Sequence, residues 1–427
     1  MQGLLPLPSL RTLLTGVFAF AAILAWFIFS PVTAAQGFDP AAATEAYLAS
    51  VPAADRAAGD AYFEGGYWLI LWGTVYAVLA AWVLLHFRIS ERLRIYAEKL
   101  TRFKFVHSWA YAIQYLVASF VIGLPLAIYQ GYFREHQYGL ANQAFGPWFS
   151  EQLIGLAVSL VLFGLVIAVL YKLIERLRKT WWLWGASFVG VFFVFVLVIS
   201  PVFIDPLFNQ YTPMEEGQTR DEILSMARAN GVPADEVYVA DESEQSTRIS
   251  ANVSGAFGTT RIALNDNLLE NATLAEIKAV MGHEIAHFVT NIIFVLIIPF
   301  AVVIMAGFAF VNGLFHVVHK RLGQNWGVRD IADPAGFPLF AALISVFFLA
   351  MTPVLNTIIR ENERMADIYG LNASREPDGF ATIALKLGTY RKLDPSPLEE
   401  IIFFDHPSGR SRIEMAMQWK AENLDEE

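Results

Sequence analysis

Residues 281–288 read Met-Gly-His-Glu-Ile-Ala-His-Phe. Two histidines four apart lie on one face of an α-helix, so His283 and His287 can both reach a single Zn²⁺ at about 2.0–2.1 Å. Glu284 is turned about 100° further around the axis and points past the ion. It can instead reach a water beside the metal, which is the place of a general base. The chain has no cysteine, so thiolate zinc sites, thiol nucleophiles and disulfides are excluded, and any metal must be held by imidazole and carboxylate. A catalytic zinc usually has three protein ligands and one open position. The third is sought in Arg360-Glu361-Asn362-Glu363-Arg364-Met365-Ala366-Asp367. Glu363 and Asp367, four apart, share a helix face. Glu363 is the candidate third ligand, and Asp367 is the candidate acceptor for the second ring nitrogen of a ligating histidine, fixing its tautomer. Alone, this stretch reads first as a solvated acidic helix with Glu–Arg pairs; the HExxH helix turns the reading toward a ligand.

Two further groups could handle a peptide. Asp405-His406-Pro407-Ser408-Gly409-Arg410-Ser411-Arg412 supplies His406 and Arg412, both suited to stabilising an oxyanion. Arg248–Phe257 and Thr260–Asn265 have the pattern of a hairpin joined around Gly258, after an alternating run at Glu236–Ala240. An exposed strand edge there can take an extended peptide through main-chain hydrogen bonds. Asn252, in the middle of that strand, can hold the scissile peptide or the oxyanion.

The elements that must position these residues belong to a membrane protein. Apolar residues make up 56% of the 427, against about 45–50% in soluble domains. Apolar runs long enough to cross a bilayer occur at 12–32, 67–87, 108–130, 152–171, 182–204, 288–312 and 336–358. The first ends in Val32-Thr33-Ala34-Ala35, small residues that also suit signal cleavage. The predicted organisation is a membrane domain over 1–204 (spans one to five), a first catalytic part over 205–287 that includes the HExxH helix, spans six and seven over 288–358, and a second catalytic part over 359–427. Thr273-Leu274-Ala275-Glu276 forms a capping box that starts the metal helix. No proline interrupts this helix before Pro299, so it is expected to continue into the sixth span.

Lysine and arginine concentrate in three short connections: 88–107, 172–181 and 313–335. The connections of opposite parity, 33–66 and 131–151, carry only Arg56 and Arg134. Basic short loops stay cytoplasmic, so both polar catalytic segments are expected on the non-cytoplasmic face. The net charge of −10 argues against a nucleic-acid partner.

These motifs together resemble the type I CAAX prenyl endopeptidases, the seven-span membrane zinc metalloproteases. His283-Glu284-Ile285-Ala286-His287 is similar to that family's metal helix, Arg360-x-x-Glu363-x-x-Ala366-Asp367 to its third-ligand motif, and His406-Pro407 followed by Arg412-Ile413 to its C-terminal motif. Asp205 through Pro213 resembles the segment after its fifth span. Leu124-Pro125 through Tyr129, with Glu135 through Leu140, resembles the segment after its third. Asn252 matches the asparagine of the family's strand beside the site. The resemblance implies one Zn²⁺ per chain on His283, His287 and Glu363, with Glu284 activating water and Asn252, His406 and Arg412 around the scissile bond. It also implies helices ringed around an intramembrane chamber, and cleavage of the C-terminal tripeptide from prenylated proteins. The expected fold is mainly α, with seven transmembrane helices and a zincin-like metalloprotease domain carrying a small β-hairpin or sheet. The expected partners are the lipid bilayer and a peptide or protein substrate, membrane-associated or lipidated. The compact loops and Ala-rich composition suggest a bacterial inner membrane. The alternatives are a quality-control zinc protease of the heat-shock type and, in another class, a transporter or scaffold with a structural metal.

Overall fold

The computed structural model describes residues 38–255 and 260–423. The apolar stretch at 12–32 and the turn around Gly258 lie outside the described residues. Each of the other six apolar stretches becomes a helix long and apolar enough to cross a bilayer. After the short α1 (Pro40–Ala49) come α2 (Ala53–His86), the connecting α3 (Ile89–Leu100) and α4 (Lys104–Ile128). Pro125, which has no N–H to give, precedes a π-helical turn at Tyr129–Phe133 that carries α4 on to Gln137. Spans four and five are α5 (Phe145–Arg176) and α6 (Trp181–Phe203). Large apolar side chains stay exposed along these helices, Val161 and Val191 among them, as expected of surfaces that face lipid rather than water.

The three basic connections meet at one end of the bundle. Arg88 Nε donates to the Asn325 carbonyl at 2.9 Å, Arg178 pairs with Asp330 at 2.7 Å, and Arg329 pairs with Glu98 at 2.6 Å. Arg94 is buried against Asp333. The last spanning helix, labelled α11 below (Phe337–Ser374), starts beside this cluster. Glu363 lies 26 residues along it, roughly 39 Å at 1.5 Å per residue. The basic connections and the metal-ligand candidates therefore sit at opposite ends of one continuous helix.

A small mixed sheet carries the polar domain, in the order β1 (Tyr211–Pro213), β2 (Val237–Ala240), β4 (Arg261–Asn265), β3 (Ala251–Ser254). The expected antiparallel pair is β3 with β4, in a register that sets Asn252 opposite Ala263. Sequence alternation did not reveal that β2 lies parallel to β4, or that β1 closes the far edge. Helix α7 (Gln218–Ala229) lies between β1 and β2, and α8 (Asp266–Asn271) follows β4. The metal helix is α9 (Leu274–Val289), with α10 (Ile292–Trp326) after it and α12 (Pro377–Lys386), α13 (Pro397–Phe403) and α14 (Gly409–Asn423) beyond α11. Ile277, Met281 and Ile285, four apart, bury one face of α9 in a core with Ile262 and Leu264 of the sheet.

The metal helix does not run on into the sixth span. It stops at Val289; Thr290 Oγ1 donates back to the Ala286 carbonyl at 2.7 Å, and Asn291 takes a left-handed conformation at φ +51° before α10 begins. Asparagine tolerates that conformation better than most residues, so the break needs no proline.

A second face of α9 packs on α11 at backbone distance. A Cβ on Gly282 would lie 2.7 Å from the Gly370 carbonyl oxygen, and a Cβ on Gly370 would lie 2.8 Å from the His283 nitrogen. Neither clash can be relieved by turning a side chain, because the atoms met are backbone. Gly370→Ala is therefore expected to lower stability by about 1–3 kcal/mol. In a thermal melt of the detergent-solubilised protein, Gly370→Ala should lower the midpoint while Gly155→Ala, which meets nothing within 4 Å, should not. Equal midpoints for the two would show that the crossing tolerates a methyl group.

Candidate active site

The crossing of α9 and α11 brings two distant stretches of sequence together. His283 Nε2 and His287 Nε2 are 3.0 Å apart, and Glu363 Oε2 lies 3.1 Å from the first and 3.5 Å from the second. Ligands about 2.0–2.1 Å from a tetrahedral zinc stand roughly 3.3 Å from one another, so this triangle has the size of one face of such a site. Glu363 Oε2 and His287 Nδ1 are buried with no hydrogen-bond partner among the described residues. Buried polar atoms are rarely left so, and a cation would satisfy the carboxylate oxygen. The donor set of two imidazoles and one carboxylate suits Zn²⁺. The three residues fit the metal.

Asp367 lies one turn along α11 from Glu363 and is fully buried. Its Oδ1 accepts from His283 Nδ1 at 2.8 Å, which keeps that proton on Nδ1 and turns Nε2 toward His287 and Glu363. Arg412, in the first turn of α14, donates to both Asp367 oxygens, from Nε and Nη2, each at 2.9 Å. The guanidinium edge that the sequence reading offers to an oxyanion is thus taken by Asp367. Burial works against charge on His283, but the hydrogen bond to Asp367 and the nearby Glu363 carboxylate outweigh it and push the imidazole up to about 9. The same attraction that draws a proton to this ring would hold a dication.

His406 approaches from the segment before α14. Its Nε2 is 3.3 Å from Glu363 Oε2, and Asp405 holds its Nδ1 at 2.8 Å. Burial lowers the His406 imidazole, and the hydrogen bond to Asp405 opposes that shift. The segment is tied to α11 by Arg360, whose Nη1 donates to the Glu400 and Phe404 carbonyls at 2.7 Å, and by Asn356 Nδ2 to the Ile402 carbonyl at 2.8 Å.

Glu284 and His283 line one cavity of about 200 Å³ together with Asp367, His406 and Arg412. Burial pushes the Glu284 carboxyl above its ordinary range, against the pull of the two nearby imidazoles. That moves it toward the range of a group that must accept and return a proton. Ile249, Ser250 and Ala251, at and just before the start of β3, also line this cavity. Ile249, Ala251 and Val253 turn into the apolar core, so the two-residue period of a strand turns Asn252 the other way, with Ser250. Asn252 is on the edge strand beside the cavity, and its Oδ1 accepts from Ser254 Oγ at 3.1 Å. One edge of β3 pairs with β4, and the other pairs with no strand among the described residues.

The sequence reading gave no separate role to Gly282, Gly370, Asp405 or Arg360. Gly282 beside the first histidine, and Asp405 beside His406, were visible in the sequence, but their value depends on contacts between distant segments.

A helical membrane bundle that carries an HExxH helix and a converging glutamate defines a membrane metallopeptidase. Comparison with known proteins gives the family. A family model described as peptidase family M48 matches residues 213–420, and one described as the CAAX prenyl protease N-terminal region, five membrane helices, matches residues 56–210. The chain is 31% identical to YhfN of Bacillus subtilis (strain 168), described as an uncharacterized metalloprotease, over 81% of this chain and 80% of that one. It is 27% identical to CAAX prenyl protease 1 of Saccharomyces cerevisiae, over 69% and 68% of the two chains. The crystal structure of S. mikatae Ste24p shares the fold, with a TM-score of 0.72 at 22% identity over 94% of this chain and 96% of that one. The chain belongs to peptidase family M48: it is a metalloendopeptidase and an integral, multi-pass membrane protein.

Outer partners of ligating histidines typically contribute 10–100-fold to metal affinity. Asp367→Asn is accordingly expected to weaken zinc binding by about that factor in a competition against a chromogenic chelator. An unchanged affinity would remove Asp367 from the support of His283.

Proposed function

We propose that this chain is a zinc endopeptidase that cuts membrane-associated peptide substrates, with His283, His287 and Glu363 as ligands and Glu284 as general base. The observation that carries this reading is the convergence of the His283, His287 and Glu363 ligand atoms to 3.0–3.5 Å beside a cavity that Glu284 also lines. When bound, zinc supplies a Lewis acid that polarises the scissile carbonyl and makes water at the site more acidic.

The remaining steps fall to the chain's own residues. Glu284 takes the proton of the attacking water and passes it to the leaving amine. Its raised affinity for protons fits both halves of that task. His406 faces the developing oxyanion with Nε2 and donates there in its doubly protonated form, which burial opposes and the Asp405 carboxylate on Nδ1 favours. Arg412 serves as a positioning residue, holding Asp367 against His283. The free edge of β3 takes the substrate backbone in extended form, with Asn252 fixing its register.

The metal domain belongs on the non-cytoplasmic side of a bacterial inner membrane. The basic connections gather at the opposite end of the bundle, which supports that orientation under the positive-inside rule. Several relatives are described as CAAX prenyl proteases. For this chain the proposed substrates are membrane-associated proteins, lipidated ones included.

Glu284→Gln keeps shape but not basicity. The variant is expected to retain zinc and fold while losing turnover by about 10²–10⁴-fold, read by peptide cleavage alongside metal content. Undiminished cleavage would remove Glu284 from its role. A reporter enzyme active only in the cytoplasm, fused at the C-terminus, should remain inactive; an active fusion would invert the orientation.

A further inference from the structure

Arg391 follows α12 and stands on the wall shared by the site cavity and a smaller recess beside it. His406 and Arg412 line both spaces with it. The residue is half-buried, and among the described residues its side chain makes no hydrogen bond and no ion pair. Its surroundings make this unusual. Arg412 is forked onto Asp367 and Arg410 onto Asp394, Arg248 pairs with Glu135 through one nitrogen, and Lys392 next in sequence reaches Glu64 and Glu399. Arg360 spends its donors on carbonyl oxygens.

Arginine keeps its proton when half-buried, so a guanidinium with no protein partner stands open to an anion that enters the cavity. Burial and the neighbouring Arg412 guanidinium both work against its charge. The nearby protein carboxylates are engaged: Asp405 holds His406, and Glu363 faces the histidine cluster. What remains is a planar fork of N–H donors facing the space where substrate would lie. That fork matches a carboxylate through two parallel hydrogen bonds.

We propose that Arg391 is a specificity residue of this peptidase, binding a substrate carboxylate that lies in the site cavity beside the scissile bond. The inference rests on the peptidase reading above. The carboxylate comes either from a free peptide C-terminus or from an acidic side chain near the cut, and the shared chemistry is the same. In the first case the enzyme cuts close to chain ends; in the second it cuts beside Asp or Glu.

The test uses the full-length protein and one peptide sequence in three forms: free C-terminal acid, C-terminal amide, and amide in which a Gln is replaced by Glu at successive positions around the cut. The readout is the ratio of kcat/KM for a carboxylate form to that for the neutral amide. The wild type should favour one carboxylate form on the order of tenfold, as a charge-assisted pair does, and the favoured form identifies the source. Arg391→Gln should bring the ratio to about one, and Arg391→Lys should restore part of it. Affinities of the same peptides for the Glu284→Gln protein give the same ratio without turnover, so failure of the peptidase reading and failure of this one are told apart. A wild-type ratio near one for both sources would overturn the proposal. So would a wild-type preference that survives in Arg391→Gln, as when that variant weakens all three forms equally.

Discussion

The close approach of the metal helix to the last spanning helix is the constraint on which the rest of this molecule depends. Gly282 and Gly370 let two backbones meet where any Cβ would strike a peptide group. The meeting point lies directly before His283 in one helix and three residues after Asp367 in the other. Helix geometry then sets the site. One turn back along α11 from the crossing comes Asp367, level with His283 Nδ1, and one turn further comes Glu363, level with the two Nε2 atoms. A longer separation would leave the carboxylates and imidazoles each facing a gap. Because α11 is also a membrane span, the position of the ligand set is tied to the bilayer by one continuous rod rather than by a loop.

Around that crossing the polar groups hold one another in sequence. Arg412 fixes Asp367, Asp367 fixes His283, and Asp405 fixes His406. Each link joins a different part of the chain, so the C-terminal helix is bound to the metal helix through a buried carboxylate. Removing one partner from such a chain leaves a buried charge unpaired, which costs far more than the pair itself contributes. The capping box at Thr273 and Glu276 adds a further tie, since Lys386 of α12 donates to the same Glu276 oxygen at 2.7 Å.

Much of this was legible in the sequence, because local periodicity carried it. The i, i+4 spacing put His283 with His287 and Glu363 with Asp367, the capping box marked the start of the metal helix, and hydropathy located the six described spans. What was not legible depends on contacts between segments far apart. Nothing local distinguishes Gly282 and Gly370 from glycines that meet open space, such as Gly155. The sequence places Arg412 near a site but does not say that its fork is taken by Asp367. The end of the metal helix at Thr290 and Asn291 rests on a single left-handed residue, a choice that hydropathy does not record. The parallel pairing of β2 with β4 joins strands separated by the whole of β3, beyond the reach of alternation.

The central claim is that two imidazoles and one carboxylate, drawn from separate helices, share a single divalent ion. X-ray absorption at the zinc edge of the purified, metal-loaded protein tests it most directly. The account predicts a four-coordinate shell of nitrogen and oxygen near 2.0–2.1 Å, with outer scattering from two imidazole rings, and loss of one light-atom neighbour in Glu363→Ala. A six-oxygen shell without imidazole scattering, or a spectrum unchanged by Glu363→Ala, would contradict it.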